Sequence, residues 1–315
     1  MRAVAIEGFG GVERLQLMDL RMPEPGPGDV RIQVRGSGVN QVDAQIRRGE
    51  LAKAIPHEFP VVPGWEAAGT VDMVGDGVDG LAAGDAVYAY CRKPVVHGGT
   101  YAEYVTVPAR QVAAAPRALD ATAAAVVPLA GLTAYQSLLG AADVQPGETV
   151  LVSAAAGGVG SFATQLAADR GAVVIGTASE GNHDFVRGLG ATHVIDYHDH
   201  AVSEHVLDLA PTGVDVLLDL VGGDSLREAV SAVRDGGRLV SVVEEPSDEL
   251  FGQRGIRPHY VFVEPDREQL RELAEAIDAG RLRVHLHEVL PLERAARAHE
   301  LIEEGHVHGK VALTL

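Results

Sequence analysis

The stretch Val150-Leu151-Val152-Ser153-Ala154-Ala155-Ala156-Gly157-Gly158-Val159-Gly160 constrains the fold of this chain more than any other. A β-branched apolar run gives way to a turn of small residues, then to an apolar, Ala-rich helical pattern from Phe162 to Ala168. That is the layout of a strand ending above a nucleotide. Gly157 lets the backbone approach a pyrophosphate, a helix starting near Gly158 and Val159 turns free N–H groups toward it, and Gly160 permits tight helix-on-strand packing. Ala155 stands where the usual G-x-G-x-x-G has its first glycine, so the turn alone also reads as an ordinary strand-to-helix connection.

Context must therefore decide, and the rest of the chain supplies it. At 315 residues the sequence is long enough for two domains, each with its own core. The formal net charge of -18 argues against nucleic-acid and anionic-membrane partners, because either requires a basic face. Cys91 is the single cysteine, which excludes an intrachain disulfide and Cys-rich zinc lobes and suits a reducing, cytoplasmic setting. The N-terminus meets Glu7 before a signal-peptide core can form, so export is not expected. Ala121 to Ala142 carries no charge, yet it is built from small residues and broken by Pro128; it reads as a pair of buried helices, not a membrane span.

From Met1 to about Arg117 the sequence is rich in Gly, Pro and Val. The runs Val30–Val39 and Gly69–Gly75 alternate as strands with one solvated face. After Ala118, helical patterns alternate with apolar runs: Thr149–Ser153, Val173–Thr177, His193–Ile195, Val214–Leu218, Arg238–Val243 and Tyr260–Val263. Continuous runs of this kind fit strands buried on both faces, hence a doubly wound parallel sheet with right-handed crossovers. The tail predicts a helix from Arg267 to Ala279, a strand near Val284 to Glu288, a helix from Leu292 to Glu304 and a strand from Lys310 to Leu315. The expected organisation is α/β: a β-rich domain over residues 1–120 and 266–315, and a Rossmann domain over 121–265.

Several ordered motifs share this frame: Gly38-Val39-Asn40-Gln41-Val42-Asp43, Pro63-Gly64-Trp65-Glu66-Ala67-Ala68-Gly69, Gly98-Gly99-Thr100-Tyr101, Leu129-Ala130-Gly131-Leu132-Thr133-Ala134-Tyr135, the glycine turn, Leu189-Gly190-Ala191, Asp219-x-Val221-Gly222-Gly223 and Gly309-Lys310. With them the chain resembles, over nearly its whole length, the zinc-independent quinone oxidoreductases of the medium-chain dehydrogenase/reductase superfamily. The resemblance implies a GroES-like catalytic domain joined to the Rossmann domain, and a homodimer pairing through the Tyr260–Val263 strand. Alcohol-dehydrogenase relatives hold zinc with Cys, His and Cys or Asp; the corresponding Asn40, Trp65 and Leu129 cannot complete a tetrahedral site. The pairs His285/His287 and His306/His308 have strand spacing that could share a metal, but exposed histidines are the plainer reading, and no metal ligand is assigned.

The cofactor expected is NADPH. An NAD enzyme places a carboxylate on the ribose about 20 residues past the glycines, whereas the residue aligned there is Ser179, a hydroxyl that can accept a 2′-phosphate. Asn182 and His183 stand where many relatives carry Lys, so Arg187 or Lys310 is the expected cation. The resemblance places Tyr197 beside the adenosine phosphate, although a half-buried loop tyrosine is an equal alternative, and assigns cofactor contact to Val221 and Val242. It gives Thr133 to the carboxamide or phosphate and sets Asn40 near the reacting carbon; the plainer readings are a helix hydroxyl bonded to its own backbone and a turn residue. Asp43 is read as holding the loop. Ala44 and Gln45 replace the aromatic residue that many relatives carry after Asn-x-x-Asp, which leaves the proton donor unassigned.

The implied reaction is hydride transfer to a quinone or an α,β-unsaturated carbonyl, with Asn40 or a water stabilising the oxygen and solvent supplying the proton. An alcohol/aldehyde dehydrogenase and a non-enzymatic NADPH-binding sensor are the alternatives.

Overall fold

The computed structural model describes residues 1–199 and 201–315, and these divide into two units. One comprises Met1–Leu129, Pro265–Gly280 and Val284–Leu315; the other comprises Ala130–Glu264 and Arg281–Arg283.

The first unit begins with β1 (Arg2–Ala5), β2 (Gln16–Asp19), β3 (Asp29–Val39), α1 (Gln41–Arg48), β4 (His57–Val62), β5 (Glu66–Val74), β6 (Ala86–Tyr90), β7 (Val96–Gly98), β8 (Tyr104–Pro108), β9 (Val112–Ala114) and α2 (Ala121–Ala124). β3 organises it. Its first half pairs antiparallel with β8, and Val30 to Ser37 pair antiparallel with β5. The apolar side chains Val30, Ile32 and Val34 pack with Val71, Val87, Val105 and Val107. The predicted alternation is incomplete, because Arg31 is buried as well: it pairs with Asp72 at 2.6 Å and lies over the Tyr104 ring.

The uncharged stretch after residue 120 forms α2 and then α3 (Pro128–Tyr135), with Pro128 opening the second helix, where its missing N–H costs nothing. Among the described residues no helix is long and apolar enough to cross a membrane.

The second unit carries β10 (Thr149–Val152), α4 (Gly158–Asp169), β11 (Val173–Thr177), α5 (His183–Gly188), β12 (His193–Ile195), α6 (Val202–Leu209), β13 (Val214–Asp219), α7 (Gly223–Ala229), β14 (Val233–Ser241) and β15 (Arg257–Tyr260). All five pairings are parallel, in the order β12-β11-β10-β13-β14-β15. This order reverses direction next to β10, the arrangement that creates a ligand crevice at the carboxyl ends of the strands.

Two strands differ from expectation. β14 begins at Val233, and β15 uses Arg257-Pro258-His259-Tyr260 where the apolar run Tyr260–Val263 is the sequence choice. β15 is an edge strand, so Pro258, which has no N–H to donate, is tolerated there.

The tail forms α8 (Arg267–Asp278), β16 (Leu286–Pro291), α9 (Ala295–Glu304) and β17 (Lys310–Thr314). β17 joins the first sheet beside β3, giving the order β16-β17-β3-β5-β6-β9. β16 lies later than the predicted Val284–Glu288, and a 3-10 turn, Leu292–Arg294, precedes α9.

Candidate active site

The nucleotide turn follows from the end of β10. Ala154 N–H donates to Thr177 Oγ1 at 3.1 Å and Ala155 N–H to Thr177 O at 2.9 Å, tying the turn to β11. The first bond of α4 runs from Ser161 N–H to Gly157 O at 2.9 Å. The N–H groups of Gly158, Val159 and Gly160 therefore lie in the first helical turn, at the positive end of the helix. A Cβ at Gly160 would stand 2.2 Å from Ala154 O, so glycine is what lets the helix start this close to the turn. These groups fit a pyrophosphate.

Beyond β11, Ser179 and Asn182 are brought together: Asn182 Nδ2 donates to Ser179 Oγ at 3.1 Å and Asn182 N–H to Ser179 O at 2.8 Å. Arg187 is at the surface, paired with Asp184 at 3.1 Å. Tyr197, past the end of β12, is 51% exposed and tilts over His198 at 4.2 Å. Thr133 is buried in α3.

At the ends of β13 and β14, sequence reasoning overlooked the organiser. The buried Asp219 carboxylate accepts from Val221 N–H (3.1 Å), Gly222 N–H (2.9 Å) and Ser241 Oγ (2.7 Å), and its carbonyl accepts from Val242 N–H at 3.3 Å. The Asp-x-Val-Gly-Gly motif held that signal.

The first unit contains a second polar centre, set by strand register. Val311 lies opposite Val39 and Ser37 opposite Ala67. This brings together Lys310 at the start of β17, Asn40 just past β3 and Glu66 at the start of β5. Lys310 Nζ donates to Glu66 Oε1 (2.9 Å), to Val39 O (3.3 Å) and, in a short contact, to Asn40 Oδ1. Asn40 Nδ2 donates to Glu66 Oε1 at 2.7 Å, and Leu129 N–H donates to Glu66 Oε2 at 2.7 Å. Glu66 is fully buried. A Cβ at Gly38 would fall 2.1 Å from its Oε1, so the glycine makes room for the carboxylate.

This arrangement corrects the reading of Lys310 as the cation for a 2′-phosphate. An ammonium has three protons, and three acceptors already surround this one. Lys310 instead fixes the Asn40 amide, and Glu66, missed as a functional residue, anchors both.

Asn40 caps α1, and the acid at the third helical position reaches back: Asp43 Oδ2 accepts from Asn40 N–H at 2.8 Å. Burial, followed by the nearby Glu66 charge among the raising influences, pushes the Asp43 carboxyl up to about 7. Asp43 thus holds the turn, as read from the sequence. Trp65 packs in the core, edge-on to Tyr90 at 6.3 Å. Cys91 is a free, buried thiol that burial pushes up to about 12. His287 meets His308 edge-on across the start of the β16–β17 ladder at 4.6 Å, so the pair that forms is not either i, i+2 pair of the sequence.

Comparison with known proteins bears on this geometry. Residues 26–117 match the model of the alcohol dehydrogenase GroES-like domain, and residues 189–313 match a model described as zinc-binding dehydrogenase. The chain is 36% identical to the human synaptic vesicle membrane protein VAT-1 homolog over 76% of its own length and 60% of that protein's. It is 32% identical to human quinone oxidoreductase over 100% of itself and 98% of the relative. Among solved structures, an NAD-dependent alcohol dehydrogenase superposes with a TM-score of 0.92 at 32% identity, covering 100% of both chains. Mycobacterial Rv1454c complexed with NADPH gives 0.91 at 30% identity, again over 100% of both.

The zinc in that family description does not fit the residues present here. The Trp65 and Leu129 side chains offer no ligand atoms, the Asn40 amide is engaged by Lys310 and Glu66, and the Lys310 ammonium already sits against the Glu66 carboxylate. Glycine turn, parallel sheet, GroES-like unit and full-length relatives agree: the chain belongs to the medium-chain dehydrogenase/reductase superfamily, in its quinone oxidoreductase-like family of oxidoreductases.

Proposed function

We propose that this oxidoreductase uses NADPH to reduce a quinone or an α,β-unsaturated carbonyl without zinc. The observation that carries the proposal is the clamped amide of Asn40. Its oxygen is held by Lys310 and one of its N–H groups by Glu66, so the amide is oriented before substrate arrives. The second N–H is then a preorganised donor for an oxygen that gains negative charge, and the ammonium on the far side of the amide polarises it further.

NADPH, when bound, supplies hydride from its nicotinamide ring. The chain's own part is to bind and orient. Gly157 lets the backbone come close, and the N–H groups of Gly158, Val159 and Gly160 receive the pyrophosphate. Ser179 and Asn182 offer a hydroxyl and an amide to the 2′-phosphate, a site that a carboxylate at position 179 would make repulsive. With Lys310 committed elsewhere, Arg187 is the cation assigned there. Thr133, Tyr197, Val221 and Val242 take the remaining cofactor contacts. Solvent protonates the product. Buried, unpaired Cys91 suits the reducing, cytoplasmic setting we assign.

The likeness to an NAD-dependent alcohol dehydrogenase supports a second reading, alcohol oxidation. That reaction gains most from a Lewis acid on the oxygen, which this cluster is not built to hold. Steady-state assays separate the two. The proposal expects NADPH to be oxidised, in preference to NADH, by members of a panel of quinones and enones. Reduction of NAD by alcohols with no turnover of that panel would overturn it, and tight NADPH binding without any turnover would make the protein a sensor.

A further inference from the structure

Behind Asn40 runs a string of buried polar side chains that the proposed chemistry does not use. Asp43 Oδ2 accepts from Asn40 N–H and also from the Tyr101 hydroxyl at 3.3 Å. Tyr101 Oη lies 3.2 Å from His299 Nε2, and His299 Nδ1 lies 3.1 Å from Arg47 Nη1. Arg47 pairs with Glu303 at 2.7 Å. Asp43, Tyr101 and His299 are all 0% exposed, while the Glu303 side chain, at 24%, reaches solvent. The string thus links α1, the loop after β7, and α9.

Chemistry fixes the direction of each bond. A guanidinium only donates, so His299 Nδ1 must accept and carries no proton. Burial first, and then the Arg47 charge, push this imidazole down to about 3, so it is neutral and its single proton sits on Nε2. Nε2–H donates to Tyr101 Oη, and the Tyr101 hydroxyl donates to Asp43. Two donors therefore converge on Oδ2, whereas Oδ1 has no partner among the described residues. The string is no proton relay, because the Arg47 guanidinium donates hydrogen bonds but does not release a proton. It can only hold.

We propose that Asp43 is the positioning residue for Asn40, braced from behind by Arg47, His299 and Tyr101, and that its ionisation sets how firmly the Asn40 turn is held. The proposal rests on the reading of Asn40 as the substrate-facing donor. An ionised Asp43 receives Asn40 N–H in a charge-assisted bond; a protonated one makes only a weaker, neutral bond. The groups facing it are the Asn40 N–H of its own turn, Tyr101 from the loop, Glu66 from β5 and Lys310 from β17. Arg47 and His299 stand behind Tyr101. Asn40, Lys310 and Tyr101 favour the ionised form, Glu66 opposes it, and burial outweighs them, which brings the titration into the neutral range.

The test combines turnover with a direct titration. In wild type, kcat for acceptor reduction should rise about tenfold as pH passes through 7 while KM for NADPH stays level. Asp43→Asn, which keeps an acceptor oxygen and loses the charge, should flatten that rise. Titrating the 13C-labelled Asp43 carboxyl in cofactor-free protein should give the same midpoint, and Tyr101→Phe, by removing a donor to the ionised form, should move it upward. The carboxyl titration needs no turnover, so it decides the matter even if no acceptor is reduced and the hydride reading fails. An Asp43 that titrates as an ordinary carboxyl, a midpoint unmoved by Tyr101→Phe, or a rise that survives in Asp43→Asn would overturn the proposal.

Discussion

Lys310, Glu66 and Asn40 act as one object although they come from β17, β5 and the cap of α1. Lys310→Met leaves the Glu66 carboxylate buried without its cation, and loss of one partner of such a pair costs about 3–5 kcal/mol. Denaturant titration should show that loss, and adding Glu66→Gln should recover part of it. Asp43 and His299 make opposite contributions to stability as pH changes. The Asp43 carboxyl is raised from 3.8 to about 7, so its stabilising share is full below 3.8 and gone above 7. The His299 ring is lowered from 6.5 to about 3, so its share is full above 6.5 and lost as pH falls toward 3. Over the shared window the two slopes oppose each other. Relative to wild type, Asp43→Asn should therefore grow more stable as pH rises toward 6.5, and His299→Gln should grow less stable, each by several kcal/mol, on the order of 4. Unfolding curves across that range check both signs. At the cofactor end, Ser179→Asp should lower NADPH affinity relative to NADH by about tenfold or more; an unchanged preference, measured by titration, would mean that Ser179 does not face the ribose.

Elements were legible where one physical cause dominates. The apolar runs of β10 and β13, inside the sheet, could be read directly, because strands buried on both faces must be largely apolar. β15 was misplaced because an edge strand is defined by its pairing partner, not by its own hydrophobicity, and Arg257-Pro258 gives no local cue. The Asn40–Lys310 contact could not be read at all: it depends on a register between residues 270 positions apart. Steric demand is easier to forecast. Gly160→Ala forces a methyl against Ala154 O and should cost about 1–3 kcal/mol, seen as a lower Tm, together with weaker NADPH binding. The exposed edge beside Tyr260 and Phe262, which are 44% and 40% exposed, is the one through which we propose that two copies pair. Sedimentation as a dimer that Tyr260→Asp converts to a monomer would support this pairing; a monomeric wild type would remove it.

For the molecule as a whole, the glycine turn and the ordered motifs were enough to give the architecture and the family, while the chemistry needed the side-chain geometry. Ala155 in place of the first glycine leaves the turn intact, because the close approach is made at Gly160. The role proposed for the clamped Asn40 amide is to stabilise charge on an acceptor reduced by NADPH. Stopped-flow mixing of the NADPH complex with a quinone or enone tests it most directly. The prediction is rapid single-turnover oxidation in wild type and a rate about 10²-fold slower in Asn40→Ala at equal NADPH affinity. Equal rates in the two proteins, or no oxidation of the wild-type complex by any acceptor, would contradict it.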